Sequence, residues 1–167
     1  NNRRYFMLEL EKALSRAREL PAPVSVLILD VDDFGRFNDE VGRTAGDEIL
    51  IGMADVLKRC TRDGDIICRF GGDEFAVIVA GIASTSAAAV AERIRTRFAV
   101  ESVRAVPMPG LEAGAEAEPG ATTDWELTLS IGIAEFDGKE ASEALIERAE
   151  RALREAKRLG KNRFAAL

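Results

Sequence analysis

Histidine is absent from the 167 residues, which excludes imidazole acid–base catalysis and histidine metal sites. Cysteine is scarce. Cys60 and Cys68 are the whole inventory, too few for a disulfide framework. They are expected to be buried thiols in a reducing cytoplasm. No apolar run approaches the roughly 20 residues that span a bilayer, and the N-terminus has no signal-peptide pattern. The expected location is therefore the cytoplasm, with no membrane contact. Positive charge is outnumbered, 23 Lys and Arg against 29 Asp and Glu. The net charge of −6 argues against nucleic acid as a partner but leaves room for a local basic pocket. Chemistry in this chain is left to carboxylates, lysines, arginines and a bound ion.

What is present reads as one globular domain over 1–167, with 47% hydrophobic and 31% charged residues. Phe6, Leu10, Ala13, Leu14 and Ala17 recur at helical spacing, closed by Pro21 and Pro23. Val24 to Leu29 is an almost unbroken apolar run, the pattern of a central strand buried on both faces. One helix is expected over roughly Asn38–Arg59, with Gly42 and Gly46 in its first turns. Glycine there costs about 1 kcal/mol each in helix propensity, so that end is read as facing backbone or ligand. An Ala-rich helix is expected from about Ser86 to Phe98. Pro107–Thr123 lacks periodicity and reads as a loop. Trp125–Ala134 reads as a strand, Ser142–Leu159 as a helix stopped by Gly160, and Phe164 as the start of a short closing strand.

Two segments carry candidate chemistry. Ile66-Ile67-Cys68 and Ala76-Val77-Ile78-Val79 flank Gly71-Gly72-Asp73-Glu74-Phe75, the layout of a β-hairpin. The returning strand is expected to open with Asp73 and Glu74, whose side chains would then point to opposite faces of the sheet. Asp73 is the natural member to share a metal with a second acid. That acid is Asp30, in the Asp30-Val31-Asp32-Asp33 stretch that ends the buried strand. Hard oxygen ligands at such a strand end suit Mg²⁺ holding phosphates.

These residues, with others in matching order and spacing, resemble the GGDEF family, the diguanylate cyclases. The resemblance runs from Asn2-Arg3-Arg4 through Asp30-Val31-Asp32, Asn38-Asp39, Gly42, Gly46-Asp47 and Arg69-Phe70-Gly71-Gly72-Asp73-Glu74-Phe75. It continues through Ser130-Ile131-Gly132, Ala156-Lys157 and Gly160-Lys161-Asn162. It implies an α+β fold with a mostly antiparallel central sheet flanked by helices. That core is like the palm of polymerases and nucleotide cyclases and carries the GGDEF hairpin. The implied activity condenses two GTP into cyclic di-GMP and two pyrophosphates.

By resemblance, Mg²⁺ or Mn²⁺ is held by Asp30, the carbonyl of Val31 and Asp73, with Asp30, Asp73 and Glu74 as the catalytic acids. Asn38 and Asp47 are the expected guanine readers, since amide and carboxylate match the donors and acceptors of guanine but not adenine. Helix capping is the plainer role of Asn38 and Asp39. Phe34 and Gly35, Gly71 and Gly72, and Lys157 and Lys161 complete the implied substrate site. Arg62 and Asp65 match the family's inhibitory site for its own product, with Arg93 a candidate third member. An ordinary salt-bridged turn is the alternative there.

One GTP site per chain implies catalysis by a homodimer, each 3′-hydroxyl attacking the other's α-phosphate. Because the chain opens inside the family's first motif, it is expected to be a piece of a longer protein with a sensory segment upstream. Some positions depart from the family. Gly35 replaces a usual lysine, Arg43 a histidine, Lys161 an arginine, and Glu150 and Arg154 an aspartate and a tyrosine. These feed a second reading, a catalytically weak domain that binds GTP or cyclic di-GMP as a regulatory module.

Overall fold

The computed structural model describes residues 2–105 and 125–167, so the loop expected at Pro107–Thr123 lies outside the described residues. Helix α1 spans Arg3–Glu19 and is capped by Asn2, whose side chain accepts the Tyr5 N–H at 3.1 Å. Strand β1 follows over Val24–Val31, every residue of it buried.

After β1 the chain departs from the single helix expected over Asn38–Arg59. Two helices form instead, α2 over Phe34–Val41 and α3 over Arg43–Cys60. Gly42 separates them with φ of 106° and ψ of 154°, a backbone conformation that a side chain disfavours. Its N–H closes α2 on the Asn38 carbonyl, and its own carbonyl accepts the Gly46 N–H that opens α3. Asn38 therefore sits in the last turn of α2, and the N-capping role is ruled out for it.

Strands β2 (Ile66–Gly71) and β3 (Glu74–Ala80) form the hairpin. Helix α4 covers Ser84–Ala105, longer at both ends than its Ala-rich signal. Strand β4 is confined to Leu129–Glu135, starting after Trp125, and α5 (Ser142–Arg158) and β5 (Phe164–Ala166) complete the chain. The sheet order is β2-β3-β1-β4-β5, antiparallel except for the β4–β5 pair. This is the expected α+β sheet flanked by helices.

Strand alternation sorts the interior into two cores. Leu27, Leu29 and Val31 of β1 face α2, α3 and α4 with Phe75, Val77, Ile49 and Met53. Val26 and Ile28 face α1 and α5 with Ala76, Ile78, Leu10 and Leu145. Both thiols are buried, Cys60 in the first core and Cys68 in the second, so the sheet separates them. Burial raises the pKa of each.

Helix α5 reaches β4 at Gly132. A Cβ there would lie 2.0 Å from the Ala149 carbonyl oxygen and 2.3 Å from the Leu153 nitrogen, both main-chain atoms that cannot swing away. Gly132→Ala should destabilise the domain by about 3 kcal/mol, read as a lower denaturant midpoint in chemical unfolding. An unchanged midpoint would mean that α5 is not held this close to the sheet.

Candidate functional site

The candidate site is built where β1 runs out of sheet. Asp30 continues the register of Val26 and Ile28 and so faces α5, yet it is only 8% exposed. Its Cα partner across the β1–β3 ladder is Glu74, and directly opposed antiparallel residues project to the same face. The expectation that Glu74 points away from Asp30 is thereby corrected. The reason lies in the turn: Gly71 pairs with Glu74, leaving Gly72-Asp73 as the two-residue connection. Asp73 is a turn residue, outside the strand alternation. Gly72 has φ of 38°, and Arg69 Nε donates to its carbonyl at 2.8 Å, which pins the hairpin tip.

Asp73 and Glu74 both act on Asp30 electrostatically. Burial raises the Asp30 pKa most, Lys157 opposes this by hydrogen bond and charge, and the Asp73 and Glu74 carboxylates raise it further. Lys157 Nζ, from the last turn of α5, lies 2.7 Å from Asp30 Oδ1. Lys161 Nζ lies 2.7 Å from Asp33 Oδ1. The two lysines are thus brought to the acidic edge and not left as helix-dipole charges.

The donor set fits a hard divalent ion. Asp30, Asp73 and Glu74 offer oxygen at one sheet edge, with the Val31 main chain beside them. Among the described residues, no group of three Asp, Glu, Cys or His side chains is placed to hold a metal ion by itself. Such an ion would need further ligands from elsewhere, as Mg²⁺ does when it shares phosphate oxygens.

Phe34 and Gly35 open α2 beside this edge and lie in its first turn. The first helical bond is from Phe37 N–H to the Asp33 carbonyl, so the N–H groups of Phe34, Gly35 and Arg36 precede the ladder. The Phe34 ring is buried in the core and stacks on Phe37, leaving its main chain as the part that can meet a ligand. A Cβ on Gly35 would meet nothing within 4 Å, so packing does not demand glycine there.

Asn38 and Asp47 lie on adjacent helices. Asn38 Oδ1 is buried with no hydrogen-bond partner, and it rests against Gly46, where a Cβ would come within 1.9 Å of it. Asp47 is exposed, so a bound base would be what covers its charge. It lines a cavity of about 710 Å³ with Leu50, Ile67, Arg69 and Phe75, and Asp65 stands at the same cavity.

Arg62 and Asp65 close a turn reciprocally through main-chain groups. Arg62 N–H donates to Asp65 Oδ2 at 2.9 Å and Asp65 N–H to the Arg62 carbonyl at 3.0 Å. The salt-bridged turn is not what forms. Among the described residues the Arg62 guanidinium makes no ion pair. Arg93 comes to the same corner, donating to the Cys60 carbonyl at 2.6 Å.

Sequence reasoning passed over Asp32. It is 4% exposed, and Ser130, Thr128 and the main chain of Asn162 all donate to its carboxylate. Its neighbours in sequence hid it, since nothing in a run of three acids marks which one is buried.

The raised Asp30 pKa fixes a sign for stability. The folded state holds the Asp30 proton more tightly than the unfolded state, whose value is near 3.8. The associated stability is complete below that value and is lost as pH rises through the folded pKa. Without divalent ions, Asp30→Asn should melt above wild type at pH 7, the difference vanishing below about pH 4. Equal melting curves at both pH values would remove the electrostatic frustration assigned to this carboxylate.

Comparison with known proteins agrees with this fold. The family model described as "Diguanylate cyclase, GGDEF domain" matches residues 1–109. Diguanylate cyclase DosC of Escherichia coli (strain K12) is 36% identical over 162 residues, covering 97% of this chain and 32% of DosC. Diguanylate cyclase A of Treponema denticola is 33% identical, covering 95% of this chain and 40% of its own length. The chain thus spans about a third of the length of these curated relatives. The GGDEF domain of DgcB from Caulobacter crescentus, solved in complex with c-di-GMP, superposes with a TM-score of 0.83 at 32% identity. That match covers 99% of this chain and 90% of the other. Matched by that family model over residues 1–109 and by relatives above 30% identity along almost its whole length, the chain belongs to the GGDEF domain family of diguanylate cyclases.

Proposed function

We propose that this domain condenses two GTP into cyclic di-GMP, one GTP per subunit of a homodimer. The observation that carries the reading is the gathering of Asp30, Asp73, Glu74 and Lys157 at one sheet edge beside the open N-terminus of α2. A divalent ion, Mg²⁺ or Mn²⁺, held there by Asp30, the Val31 carbonyl and Asp73, would supply charge neutralisation at the reacting phosphate.

The chain's own residues do the rest. Lys157 and Lys161, now paired with acids, exchange those partners for phosphate oxygens when the nucleotide arrives. The N–H groups of Phe34 and Gly35 point outward from a helix N-terminus, and the Gly71-Gly72 backbone, bare of side chains, leaves room for the substrate at the hairpin tip. Asn38 Oδ1 is an acceptor awaiting a donor, and Asp47 accepts from the N1–H and N2–H₂ edge of guanine. Glu74, on the same face as Asp30, is auxiliary to the acid pair. Each 3′-hydroxyl gives up its proton to solvent as its oxygen forms a bond to the other nucleotide's α-phosphorus, the α–β bridge breaks, and pyrophosphate leaves with the electron pair. One carboxylate set per chain supports the need for two chains face to face.

Incubation of concentrated protein with GTP and Mg²⁺ should give cyclic di-GMP by mass, and chelation should stop it. Asp73→Ala should lower turnover about a hundredfold to a thousandfold, the order expected on losing a charge-stabilising group, while its melting curve stays close to wild type. ATP should be used at least about tenfold less well, because adenine leaves Asp47 without its donors. Full activity of Asp73→Ala, or equal use of ATP, would sink the respective assignment.

We further infer that Arg62, Asp65 and Arg93 form a product-inhibition site. Support comes from the unpaired Arg62 guanidinium beside the fixed Asp65 turn, with Arg93 docked on the adjoining helix end. A guanidinium–phosphate contact is worth about 1.5–3 kcal/mol, so Arg62→Ala should weaken cyclic di-GMP binding roughly tenfold to a hundredfold in calorimetry. Basal turnover should survive. Unchanged affinity would leave the segment a plain turn, and loss of catalysis as well would make it a support for the hairpin.

A further inference from the structure

Three non-glycine residues have positive φ among the described residues: Asp33 at 58°, Lys161 at 60° and Asn162 at 47°. They meet at one junction. Asp33 follows β1, while Lys161 and Asn162 follow Gly160, itself at 115°, in the connection from α5 to β5. Asp and Asn tolerate left-handed backbone but a lysine does not readily, so something must hold Lys161 and its connection in place. The Lys161–Asp33 ion pair joins the two corners at 2.7 Å, but both side chains are about half exposed and an exposed pair holds weakly.

The stronger tie is buried between them. Asp32 Oδ1 accepts from Ser130 Oγ at 2.7 Å. Asp32 Oδ2 accepts from Thr128 Oγ1 at 2.7 Å and from the Asn162 main-chain N–H at 3.0 Å. Its own N–H donates to the Thr128 carbonyl at 2.9 Å. We propose that Asp32 is a positioning residue: its carboxylate clamps the left-handed Lys161–Asn162 backbone to the end of β1 and so sets the Lys161 ammonium beside the α2 N-terminus.

The donors explain why a carboxylate suits this position. Three donors converge on two oxygens, and all can be met at once only if both oxygens accept. The acceptor capacity of Asp32 is committed to the protein, which sets it apart from Asp30 two residues before it. Two of the donors are hydroxyls, which can reverse; the Asn162 N–H cannot. An asparagine could therefore keep its oxygen toward Asn162 and turn its amide N–H₂ to Ser130, whose hydroxyl would then accept. Asp32→Asn is thus the conservative replacement, and Asp32→Ala removes the clamp.

The inference rests on Lys161 as a phosphate contact, so two readouts are needed. Amide hydrogen exchange without nucleotide reports the clamp alone. Calorimetry with Mg²⁺ and a GTP analogue carrying a methylene between the α- and β-phosphorus reports the lysine. In Asp32→Ala, exchange at Asn162 should quicken at least tenfold, and analogue binding should weaken about tenfold. Lys161→Ala should weaken binding equally without quickening that exchange. The double variant should bind no worse than the weaker single variant, because both losses are one loss. Asp32→Asn should recover most of the affinity. Should Asp32→Ala fail to fold, Asp32→Ser keeps a polar group there but stops one bond short of Asn162, and the same outcomes apply.

Unchanged exchange at Asn162 would overturn the clamp. Fully additive losses, or faster exchange with analogue affinity intact in Asp32→Ala alone, would overturn the link to Lys161. If Lys161→Ala binds the analogue like wild type, the phosphate role of Lys161 falls and the positioning claim falls with it. The exchange data distinguish that failure from absence of the clamp.

Discussion

Asp30 is a carboxylate at the end of a strand buried on both faces, with two further acids at the neighbouring hairpin and one lysine in contact. Burial and like charge both penalise its ionised form, and a single ammonium offsets only part of that penalty. Such an edge is electrostatically incomplete. It is stabilised by whatever brings more positive charge, and a divalent ion with a polyphosphate brings the charge and a ligand together. The rest of the domain can be understood as the scaffold that keeps this imbalance in place.

The sheet achieves this by alternation. Because β1 is buried throughout, its odd residues serve α2–α4 and its even residues serve α1 and α5. Asp30 falls on the α5 face, which determines that its counter-charge comes from the last turn of α5. Helix α5 can deliver Lys157 there only because Gly132 lets its backbone close on β4. A small residue on one strand and a charge on a helix more than twenty positions later are parts of one arrangement.

The other face carries Asn38 and Asp47, the pair proposed to read guanine, through a similar close approach. Gly42 breaks what would be one long helix, so that α2 folds back and Asn38 lies against α3 at Gly46. The glycine pattern Gly42–Gly46 thus has two separate physical causes. Gly42 is required by its backbone angle, and Gly46 by the side chain that packs on it. The left-handed corners at Asp33, Lys161 and Asn162 cluster at the acidic edge in the same way, strain gathered where a ligand would sit.

By itself the sequence determined the succession of strands, the buried central strand, the hairpin and the identity of the family, because periodicity and motif spacing are local and survive without coordinates. It also singled out Asp30, Asp73, Asn38, Asp47 and the two lysines. Tertiary structure alone decided which groups face one another. Register placed Glu74 across from Asp30 and moved Asp73 into the turn, since pairing in a hairpin depends on where the turn closes and one residue of shift exchanges faces. The split of the second helix rested on a single φ at Gly42 that composition cannot supply. The role of Asp32 was invisible in a run of acids, because its donors come from Thr128, Ser130 and Asn162, roughly a hundred residues away and more. Burial and hydrogen-bond partners are properties of the folded surface, and only long-range packing could separate the acid held by the protein from the acid left open to a ligand.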